Sequence, residues 1–456
     1  MKTDLISPDE IRSRFSLAMS KMYREEVPAY GTLIDLVLEI NNKVLSQNPE
    51  LKRKLEETDN LSRISEERHG AIRLGTRSEL KIIRRIFAVM GMKPVSYYDL
   101  TSANVPVHST AFRSIDSKSL SISPFRVFTS LLRTELISDN FLRKKSEEIL
   151  NTRNIFTKRL IELLNIAENE GGLKENLASE FISEATFTFK WHRDAATDKG
   201  FYESLKKADP RAADIVCFKG PHINHLTPRT LDIDSVHNQM PSRGMSPKNV
   251  IEGPPPGCPV LLRQTSFKAL TEPVFFNGEE GFHTARFGEI EQRGAALTPK
   301  GRELYDYLLE EVRSIIIPSA DGSNAREYME VLSSVFKKFP SSPEDLRKNR
   351  LAYFNYFKTA KFSKHDISGK PLDTCINEGL VDFLPITYED FLPISAAGIF
   401  SSNASDKTRE DNFLKSSKDD FEEALGEKVL CEFELYREME DHSLNELGIR
   451  QTEPLN

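Results

Sequence analysis

Two histidines in this chain are each followed four residues later by an arginine: His69 by Arg73, and His225 by Arg229. Both pairs stand among glycine and proline residues rather than in a helical pattern, and a Gly-Met-x-Pro string follows each of them. Similarity between two distant parts of a chain is typical of a duplicated module. We therefore predict two related modules whose first strands lie side by side.

Length and charge limit the classes of protein that fit this sequence. A chain of 456 residues is too long for one ordinary hydrophobic core, which favours several cores or one large duplicated domain. The net charge of -7 is spread along the chain, so nucleic acid and anionic membranes are not expected as partners, and protein partners are left open. No run of about 18 apolar residues and no signal peptide is visible, which predicts a cytoplasmic protein.

The cysteines are widely spaced and show no C-x2-C pattern, so neither a zinc knuckle nor a dense disulfide framework is expected. We predict buried, reduced thiols at all of these positions: Cys217, Cys258, Cys375 and Cys431. A metal site in this chain must therefore be built from nitrogen and oxygen ligands.

The spacing of apolar residues divides the first half of the chain into three parts. These are a helical lead-in at 1–60, a first module at 61–136 and a helical insertion at 137–210. The first module is predicted to contain a strand over 64–76 and an amphipathic helix over 78–90. Two further strands with alternating apolar and polar side chains are expected from Val105 and from Phe125.

The same order of elements then begins again, which predicts a second module over 211–298. Its strands are expected through Ile215 and Cys217, through His225, from Val260 and from His283. The rest of the chain, 299–456, is predicted to be mostly helical and to end in a charged pair of surface helices over 418–447. An α+β fold class follows.

Two histidines and a carboxylate carry the candidate chemistry. His69 and His225 occupy equivalent positions in the two modules, and alternation on the strand FGEIEQRG places Glu289 and Glu291 on one face. A carboxylate inside the concavity of a sheet needs a partner, because burying it alone costs several kcal/mol. Two neutral imidazoles and one carboxylate leave adjacent metal positions open, as in non-haem Fe(II) enzymes that bind a 2-oxo acid and dioxygen together.

Other residues compete for these roles. His222 precedes His225 by an odd offset, which on a strand turns the two rings to opposite faces, so only one of them is expected to bind metal. The residues alone do not decide between Glu289 and Glu291. For the other histidines a structural role is the default interpretation: His108, His192, His237, His365 and His442.

Arg73 is the candidate for binding an anionic substrate. It follows His69 by an even offset, so a regular strand places both side chains on one face. A guanidinium there can hold a carboxylate through two hydrogen bonds. The alternative is a salt bridge with Glu66 or Glu79.

Four strings of the sequence resemble the 2-oxoadipate dioxygenase/decarboxylase family, the 2-hydroxyglutarate synthases. They are RHGAIRLGTR around His69, GPHINHLTPR around His225, RFGEIEQRGAALTPKGRELYD from Arg286 and YEDFLPISAAGIF from Tyr388. The resemblance covers most of the chain. It implies a vicinal oxygen chelate fold, in which duplicated strand-helix-strand-strand modules form a curved β-sheet around one metal, surrounded here by helical insertions and a helical C-terminal region.

The resemblance also implies the metal ligands. It assigns Fe(II) to His69, His225 and Glu289. The strand FGEIEQRG is similar to the last strand of 4-hydroxyphenylpyruvate dioxygenase, in which a phenylalanine, one residue and the ligand glutamate precede a glutamine and an arginine. On that pattern Glu289, rather than Glu291, is the ligand.

The substrate and the reaction are implied in the same way. The family converts 2-oxoadipate and O2 to 2-hydroxyglutarate and CO2 in lysine catabolism, with no separate 2-oxoglutarate. Arg73 is implied to bind the distal carboxylate and thereby to select the length of the 2-oxo acid. Backbone groups around Ser395, Ala397 and Ile399 are implied to contact the substrate, with the C-terminal region contributing to the pocket.

Two other functions stay open at this point. A metal-dependent lyase or isomerase of the vicinal oxygen chelate type could use the same ligands with Zn or Mn, and oxygen consumption would distinguish it from a dioxygenase. A non-catalytic small-molecule binding protein could use the same side chains to sequester a ligand or a metal.

Overall fold

The computed structural model describes residues 5–57, 61–101, 105–268, 270–319, 322–362, 369–392 and 417–449. The chain divides into two compact units. Unit 1 comprises Met1–Lys248, Gln264–Glu291 and Pro393–Leu430, and unit 2 comprises Asn249–Arg263, Gln292–Leu392 and Cys431–Asn456. Within the described ranges, none of the helices combines the length and the apolar character that a membrane span requires.

Unit 1 begins with a helical lead-in and contains most of the helices. They are α1 Pro8–Glu26, α2 Pro28–Gln47, α3 Pro49–Glu57, α4 Leu61–Glu66, α5 Arg77–Val89, α6 Ser117–Ile122, α7 Asn140–Thr152, α8 Lys158–Glu170, α9 Glu175–Thr188, α10 Lys199–Ala208, α11 Pro210–Val216 and α12 Ile233–Gln239. Short 3-10 helices lie at Thr134–Leu136 and Pro241–Arg243, and a further helical stretch covers 417–425. Side-chain caps determine several helix starts, because each accepts a backbone N–H that the helix leaves unpaired. These caps include Ser7, Thr76, Thr157, Asp198 and Asp209.

A five-stranded sheet with the order β2-β3-β4-β1-β5 belongs to unit 1. Its strands are β1 Arg68–Leu74, β2 Lys93–Asp99, β3 Val107–Arg113, β4 Phe125–Leu132 and β5 Leu226–Pro228. β1 pairs in parallel with β4 along its whole length, and its first residues pair antiparallel with β5. β3 pairs antiparallel with both β2 and β4. β1 is therefore held on both sides at the end that carries His69.

Both faces of β3 and β4 are buried, because every residue of the two strands is buried. The predicted alternation is present, and the polar side chains find partners inside the sheet. The hydroxyls of Ser109 and Ser130 lie 2.8 Å apart, and Thr110 donates to the carbonyl of Ser96 at 2.7 Å. Buried hydroxyls need hydrogen-bond partners. These bonds therefore allow the polar face of the two strands to be buried as well as the apolar face.

The first module contains one strand more than predicted. β1 and α5 lie close to the predicted strand and helix, although 61–66 form a helix rather than the start of the strand. β2 was not predicted. Ser96 has a φ of 59°, and the register shifts between Val95 and Tyr97, so a bulge interrupts the alternation that identifies a strand.

The predicted strand through Ile215 and Cys217 is wrong. This segment forms α11, whose first residue is Pro210 and whose cap is Asp209, which accepts from the N–H groups of Arg211 and Ala212. An aspartate followed by proline is a typical helix start, because proline at the first position lacks only an N–H that would be unpaired anyway. The helix start therefore outweighed the apolar run that follows it.

The rest of the second module also departs from the prediction. His225 directly precedes the short strand β5 instead of lying within it. The predicted strand from His283 is interrupted, since β8 Glu279–Thr284 pairs with β7 Thr271–Phe276, and β9 Glu289–Arg293 pairs with β6 Leu262–Ser266. Within the described residues the second half forms these ladders and not a second large sheet, so the duplicated curved sheet stays a prediction.

Among the described residues of unit 2, helices outnumber strands. Its elements are α13 Pro299–Ile315, α14 Ala325–Val335, the 3-10 helix Phe336–Lys338, α15 Pro343–Lys348, β10 Phe354–Lys358, a helix Leu372–Asn377, β11 Val381–Pro385 and a helix Glu432–Leu447. β10 and β11 pair antiparallel. The last helix is not only a surface helix, because Glu440 accepts the N–H of Phe354 at 2.8 Å and Ser443 accepts that of Tyr356 at 3.1 Å.

The four cysteines are free thiols. Cys217, Cys258 and Cys375 are buried, as predicted. The prediction is wrong for Cys431, which is exposed at the cap position of the helix Glu432–Leu447.

A buried ion pair joins α5 to the end of α11. Glu79 forms a capping box with Thr76 and accepts two hydrogen bonds of 2.8 Å from Arg153. Arg153 also donates to the carbonyls of Ile215 and Phe218. Both charged side chains are only 5% exposed, so each depends on the other for compensation of its charge.

Glu79→Gln is expected to lower the free energy of unfolding by about 3–5 kcal/mol, because it leaves the charge of Arg153 buried without its partner. Glu168→Gln is the matched control, since Glu168 pairs with Arg85 but is 51% exposed, and it should cost less than about 1 kcal/mol. Urea unfolding of both variants measures the difference. Equal losses would contradict the structural role of the Glu79–Arg153 pair.

Candidate metal centre

Unit 1 brings His69, His225 and Glu289 together, with one donor atom of each within 4.8 Å of the others. Glu289 Oε2 lies 3.1 Å from His69 Nε2 and 3.4 Å from His225 Nε2, and it accepts from the hydroxyl of Thr227 at 2.9 Å. The two imidazole rings are nearly perpendicular, at 88°. Nitrogen and oxygen ligands about 2.1 Å from one ion are about 3 Å apart at right angles, so this spacing suits a shared metal.

The position of His225 depends on a glycine in β1. His69 pairs with Thr227 across the β1/β5 ladder, and Gly70 follows it. A Cβ at Gly70 would lie 2.4 Å from the side chain of Ile223 and 3.3 Å from the carbonyl of His225. Glycine therefore lets the chain that carries His225 approach β1 closely enough for the two imidazoles to meet.

Tyr23 of α1 ties together the segments that carry the other two ligands. Its buried hydroxyl lies 2.9 Å from the carbonyl of Asn224 and 2.7 Å from that of Phe287, towards which it donates. The N–H of Phe287 also donates to the carbonyl of Asn224, at 3.1 Å. These contacts fix the backbone immediately before His225 and close to Glu289.

Glu291 lies on the other side of the His69 ring. Its Oε2 is 2.9 Å from His69 Nδ1, whereas Glu289 faces Nε2. A proton on Nδ1 satisfies Glu291 and leaves the Nε2 lone pair for a metal, a common arrangement for metal-binding histidines. The two carboxylates share a face, as alternation predicted, and the geometry favours Glu289 as ligand and Glu291 as its support.

Buried arginines lie around Glu291 and the nearby Glu67. Glu67 bonds with Arg126 at 2.7 Å, Arg229 at 2.8 Å and Arg63 at 3.3 Å. Arg126 Nη1 also lies 4.0 Å from Glu291 Oε1, and all three of these side chains, Glu67, Arg126 and Glu291, are fully buried. The guanidinium groups compensate carboxylates that could not otherwise be buried in the ionised form.

Burial and neighbouring charges set different protonation states for the three candidate ligands. Burial lowers the pKa of His225 to about 4, so its imidazole is neutral at pH 7. Burial raises the pKa of Glu289, but the contacts with His225 and His69 outweigh this effect and lower the pKa to about 2. Burial lowers the pKa of His69, but Glu291 and Glu289 outweigh it and raise the pKa. Two of the candidate ligands, His225 and Glu289, are therefore deprotonated at pH 7, whereas His69 keeps its proton to a higher pH than an ordinary histidine does.

Arg73 makes neither of the predicted salt bridges, with Glu66 or with Glu79. Its Nη1 donates to Asp214 Oδ2 at 2.7 Å. Arg73 also contributes to the lowered pKa of His225, so its charge acts on the candidate metal centre. The other predicted substrate contacts lie outside the described residues: Ser395, Ala397 and Ile399.

Asp214 forms the centre of a second buried cluster, which the sequence analysis missed. Its Oδ1 lies 2.8 Å from His283 Nε2 and 3.2 Å from His222 Nε2. His222 therefore belongs to the Asp214 cluster and not to the group formed with His225, although residues 221–225 do not form the strand on which the prediction of opposite faces was based. The role of His283 could not be assigned from the sequence. Its partner, Asp214, lies on α11, a segment for which the sequence predicted a strand.

Comparison with known proteins identifies the family to which the chain belongs. The model of the 2-oxoadipate dioxygenase/decarboxylase family matches residues 15–403. The chain belongs to this family. A 2-oxoadipate dioxygenase/decarboxylase from Pseudomonas putida is 53% identical over 448 residues, which is 97% of each chain. One from Escherichia coli is 52% identical over 449 residues, covering 97% of this chain and 99% of the relative.

A solved structure is similar along the same length. The crystal structure of the hydroxyglutarate synthase from Pseudomonas putida in complex with 2-oxoadipate has a TM-score of 0.92 and 52% sequence identity. The alignment covers 98% of this chain and 99% of that chain. The family resemblance inferred from the four sequence strings is thereby confirmed for the 2-oxoadipate dioxygenase/decarboxylase family.

Addition of a divalent metal at pH 6 is expected to release about one proton, because the raised pKa of His69 keeps its imidazole protonated there and this proton must leave before the metal binds, whereas His225 and Glu289 are already deprotonated. Metal affinity should therefore fall as the pH is lowered through the raised pKa of His69. Calorimetric titrations in buffers of different ionisation enthalpy measure the number of protons. Glu291→Gln removes one of the carboxylates that raise this pKa and should reduce the release. No release in the unsubstituted protein at pH 6 and 7 would refute this assignment.

Proposed function

We propose that this chain converts 2-oxoadipate and O2 to 2-hydroxyglutarate and CO2, with Fe(II) bound by His69, His225 and Glu289. The observation that carries the proposal is the convergence of these side chains, with donor atoms within 4.8 Å, in a chain that belongs to this family. The reaction balances: both atoms of dioxygen are incorporated, one carbon leaves as CO2, and the hydroxy acid is one carbon shorter. A role in lysine catabolism and a cytoplasmic location belong to the same proposal.

The donor set fits Fe(II). Imidazole and carboxylate suit this ion, and three protein ligands leave room for a chelating 2-oxo acid and for dioxygen. When bound, Fe(II) supplies activation of dioxygen and a template for the 2-oxo acid. The protein contributes an ionised Glu289, a neutral His225, and a His69 ring whose orientation is fixed by Glu291.

Arg73 fits the role of the anchor for the distal carboxylate. It shares β1 with His69, and a rise of about 3.3 Å per residue places the two Cα atoms about 13 Å apart. Their even offset directs both side chains to one face of the sheet. A dicarboxylate with its 2-oxo acid end at the metal can reach the guanidinium with its other end only at a suitable chain length, which provides selectivity.

Family membership favours the oxygenase over the two alternatives raised by the sequence. The curated relatives are named as dioxygenases and decarboxylases. A lyase or isomerase with Zn or Mn would consume no oxygen, and a non-catalytic binding protein would release no CO2. Both measurements are part of the tests that follow.

The substitutions His69→Ala, His225→Ala and Glu289→Ala are each expected to abolish Fe(II) binding and CO2 release, because two remaining ligands cannot hold the ion. Metal content, oxygen consumption and CO2 release with 2-oxoadipate are the measurements. His442→Ala is the control, since His442 is 72% exposed, and it should retain both. Full metal occupancy in any ligand variant would remove that residue from the site.

Arg73→Ala is expected to raise KM for 2-oxoadipate by about tenfold or more while Fe(II) binding stays unchanged. The test is an oxygen electrode assay with 2-oxo acids of different length, with and without a distal carboxylate. Arg84→Ala is a matched control, because its side chain is 25% exposed, close to the 29% of Arg73, and pairs with Glu427 rather than with Asp214. An unchanged KM in Arg73→Ala would show that another group binds the distal carboxylate.

A further inference from the structure

The guanidinium of Arg73 is held by a carboxylate that is itself surrounded by donors. Asp214 Oδ2 lies 2.7 Å from Arg73 Nη1 and 3.4 Å from Asn224 Nδ2. Its Oδ1 lies 2.8 Å from His283 Nε2 and 3.2 Å from His222 Nε2. The Asp214 side chain is only 6% exposed. Both oxygens therefore have two partners each, which leaves this carboxylate little freedom to turn.

The charge of Asp214 is maintained in spite of burial. Burial raises the pKa of this carboxyl group, but His222, His283 and Arg73 outweigh it and hold the pKa well below its usual range. An ionised acceptor makes shorter and stronger hydrogen bonds than a neutral one. The contact with Arg73 is therefore a charge-assisted bond in a mostly dry environment.

A further layer of contacts fixes the histidines. The hydroxyl of Tyr202 lies 2.9 Å from His283 Nδ1, and Asp214 Oδ1 lies 2.8 Å from His283 Nε2, so each ring nitrogen of His283 has a polar partner. The ring of Trp191 packs edge-on to His222 at 4.6 Å and lies parallel to His283 at 6.0 Å. These contacts hold both imidazole rings that lie next to Asp214.

Arg73 itself is left partly free. Among the described residues, its side chain has one hydrogen-bond partner, Asp214, and it is 29% exposed. A guanidinium carries five N–H donors in a planar fork, so one bond at Nη1 orients the plane and leaves other donors for a second carboxylate. The geometry thus combines a fixed orientation with unused binding capacity.

We infer that Asp214 is a positioning residue, which holds the guanidinium of Arg73 in the orientation that receives the distal carboxylate of the substrate, and that His222 and His283 hold Asp214 in turn. This inference rests on the proposed function, since it requires a dicarboxylic 2-oxo acid. Orientation by a buried partner removes the entropy loss of ordering a long arginine side chain upon binding. Asp214 accordingly acts on affinity for dicarboxylates and leaves the chemistry at the metal unaltered.

The same cluster also has the composition of a metal site, because donor atoms of Asp214, His222 and His283 lie within 4.8 Å of one another. Two observations favour the positioning role. The carboxylate already binds a guanidinium, whose charge would repel a divalent ion on the other oxygen. In addition, Asn224 Nδ2 lies 3.3 Å from His222 Nε2, the atom that a metal would require.

The test is a double-mutant cycle with Asp214→Asn, Arg73→Met and the double variant, using the Fe(II)-loaded protein. Two substrates of equal length are compared: 2-oxoadipate, and 2-oxohexanoate, which lacks the distal carboxylate. Asp214→Asn is expected to raise KM for 2-oxoadipate, and its Kd measured without oxygen, by about tenfold, with kcat nearly unchanged. The constants for 2-oxohexanoate should not change, and in the Arg73→Met background Asp214→Asn should have no further effect.

Controls separate positioning from damage to the fold. Asp209→Ala removes the cap of the same helix, α11, without touching Arg73, and should leave the ratio of the two substrates unchanged. His283→Gln keeps the Asp214–Arg73 pair and should give a smaller rise in KM, again for 2-oxoadipate only. It provides the test if Asp214→Asn does not fold.

The outcomes distinguish this inference from the proposed function. If the unsubstituted protein does not turn over 2-oxoadipate, the proposed function fails. If Arg73→Met raises KM for 2-oxoadipate but Asp214→Asn and His283→Gln do not, only the positioning role fails. Equal effects of Asp214→Asn on both substrates, additive effects in the double variant, or loss of a second bound metal ion in Asp214→Asn would each overturn it.

Discussion

The close approach of β1 to the segment before β5 is the contact on which the candidate site depends. Gly70 makes room for this segment, and the N–H of Asn224 donates to the carbonyl of Ala71 at 3.1 Å. His222 and His225 leave the segment in different directions, one towards the Asp214 cluster and the other towards the metal centre. One backbone contact therefore positions both the candidate metal centre and the Asp214 cluster, and a shift of this segment would disturb the two together.

Buried charge imposes the second constraint. The side chains of Glu289 and Glu291 are 9% and 0% exposed, and each faces one nitrogen of the same imidazole, that of His69. Two buried carboxylates this close together are stable only if positive charges compensate them, since burying an unpaired carboxylate costs several kcal/mol. Arg126 supplies part of this positive charge, since it forms an ion pair with Glu67 and its guanidinium also lies near Glu291. A divalent cation among the ligands would supply the rest, which is a physical reason for metal binding that is independent of the family.

The sequence predicted those elements whose pattern depends on residues close together in the chain. β1, α5 and the C-terminal helices could be located from periodicity, and the family strings pointed to the candidate ligands. β2 could not, because the bulge at Ser96 breaks the alternation. α11 was predicted as a strand because of its apolar run, although Asp209 and Pro210 form a typical helix start. The partner of Arg73 lies 141 residues away along the chain, so only the folded structure reveals Asp214. Contacts of this kind have no periodic signal in the sequence.

Selectivity and chemistry share one strand in this arrangement. β1 pairs with β4 along its whole length, so its register is fixed, and a slip of one residue would turn both His69 and Arg73 to the opposite face. The separation of these two residues is thus a property of backbone geometry rather than of side-chain packing. Because Asp214 also fixes the guanidinium, the conformational entropy of the Arg73 side chain is lost when the protein folds and not when the substrate binds. A cation held in this way discriminates chain length more sharply than a mobile one, since an acid of the wrong length must give up one of its two anchors.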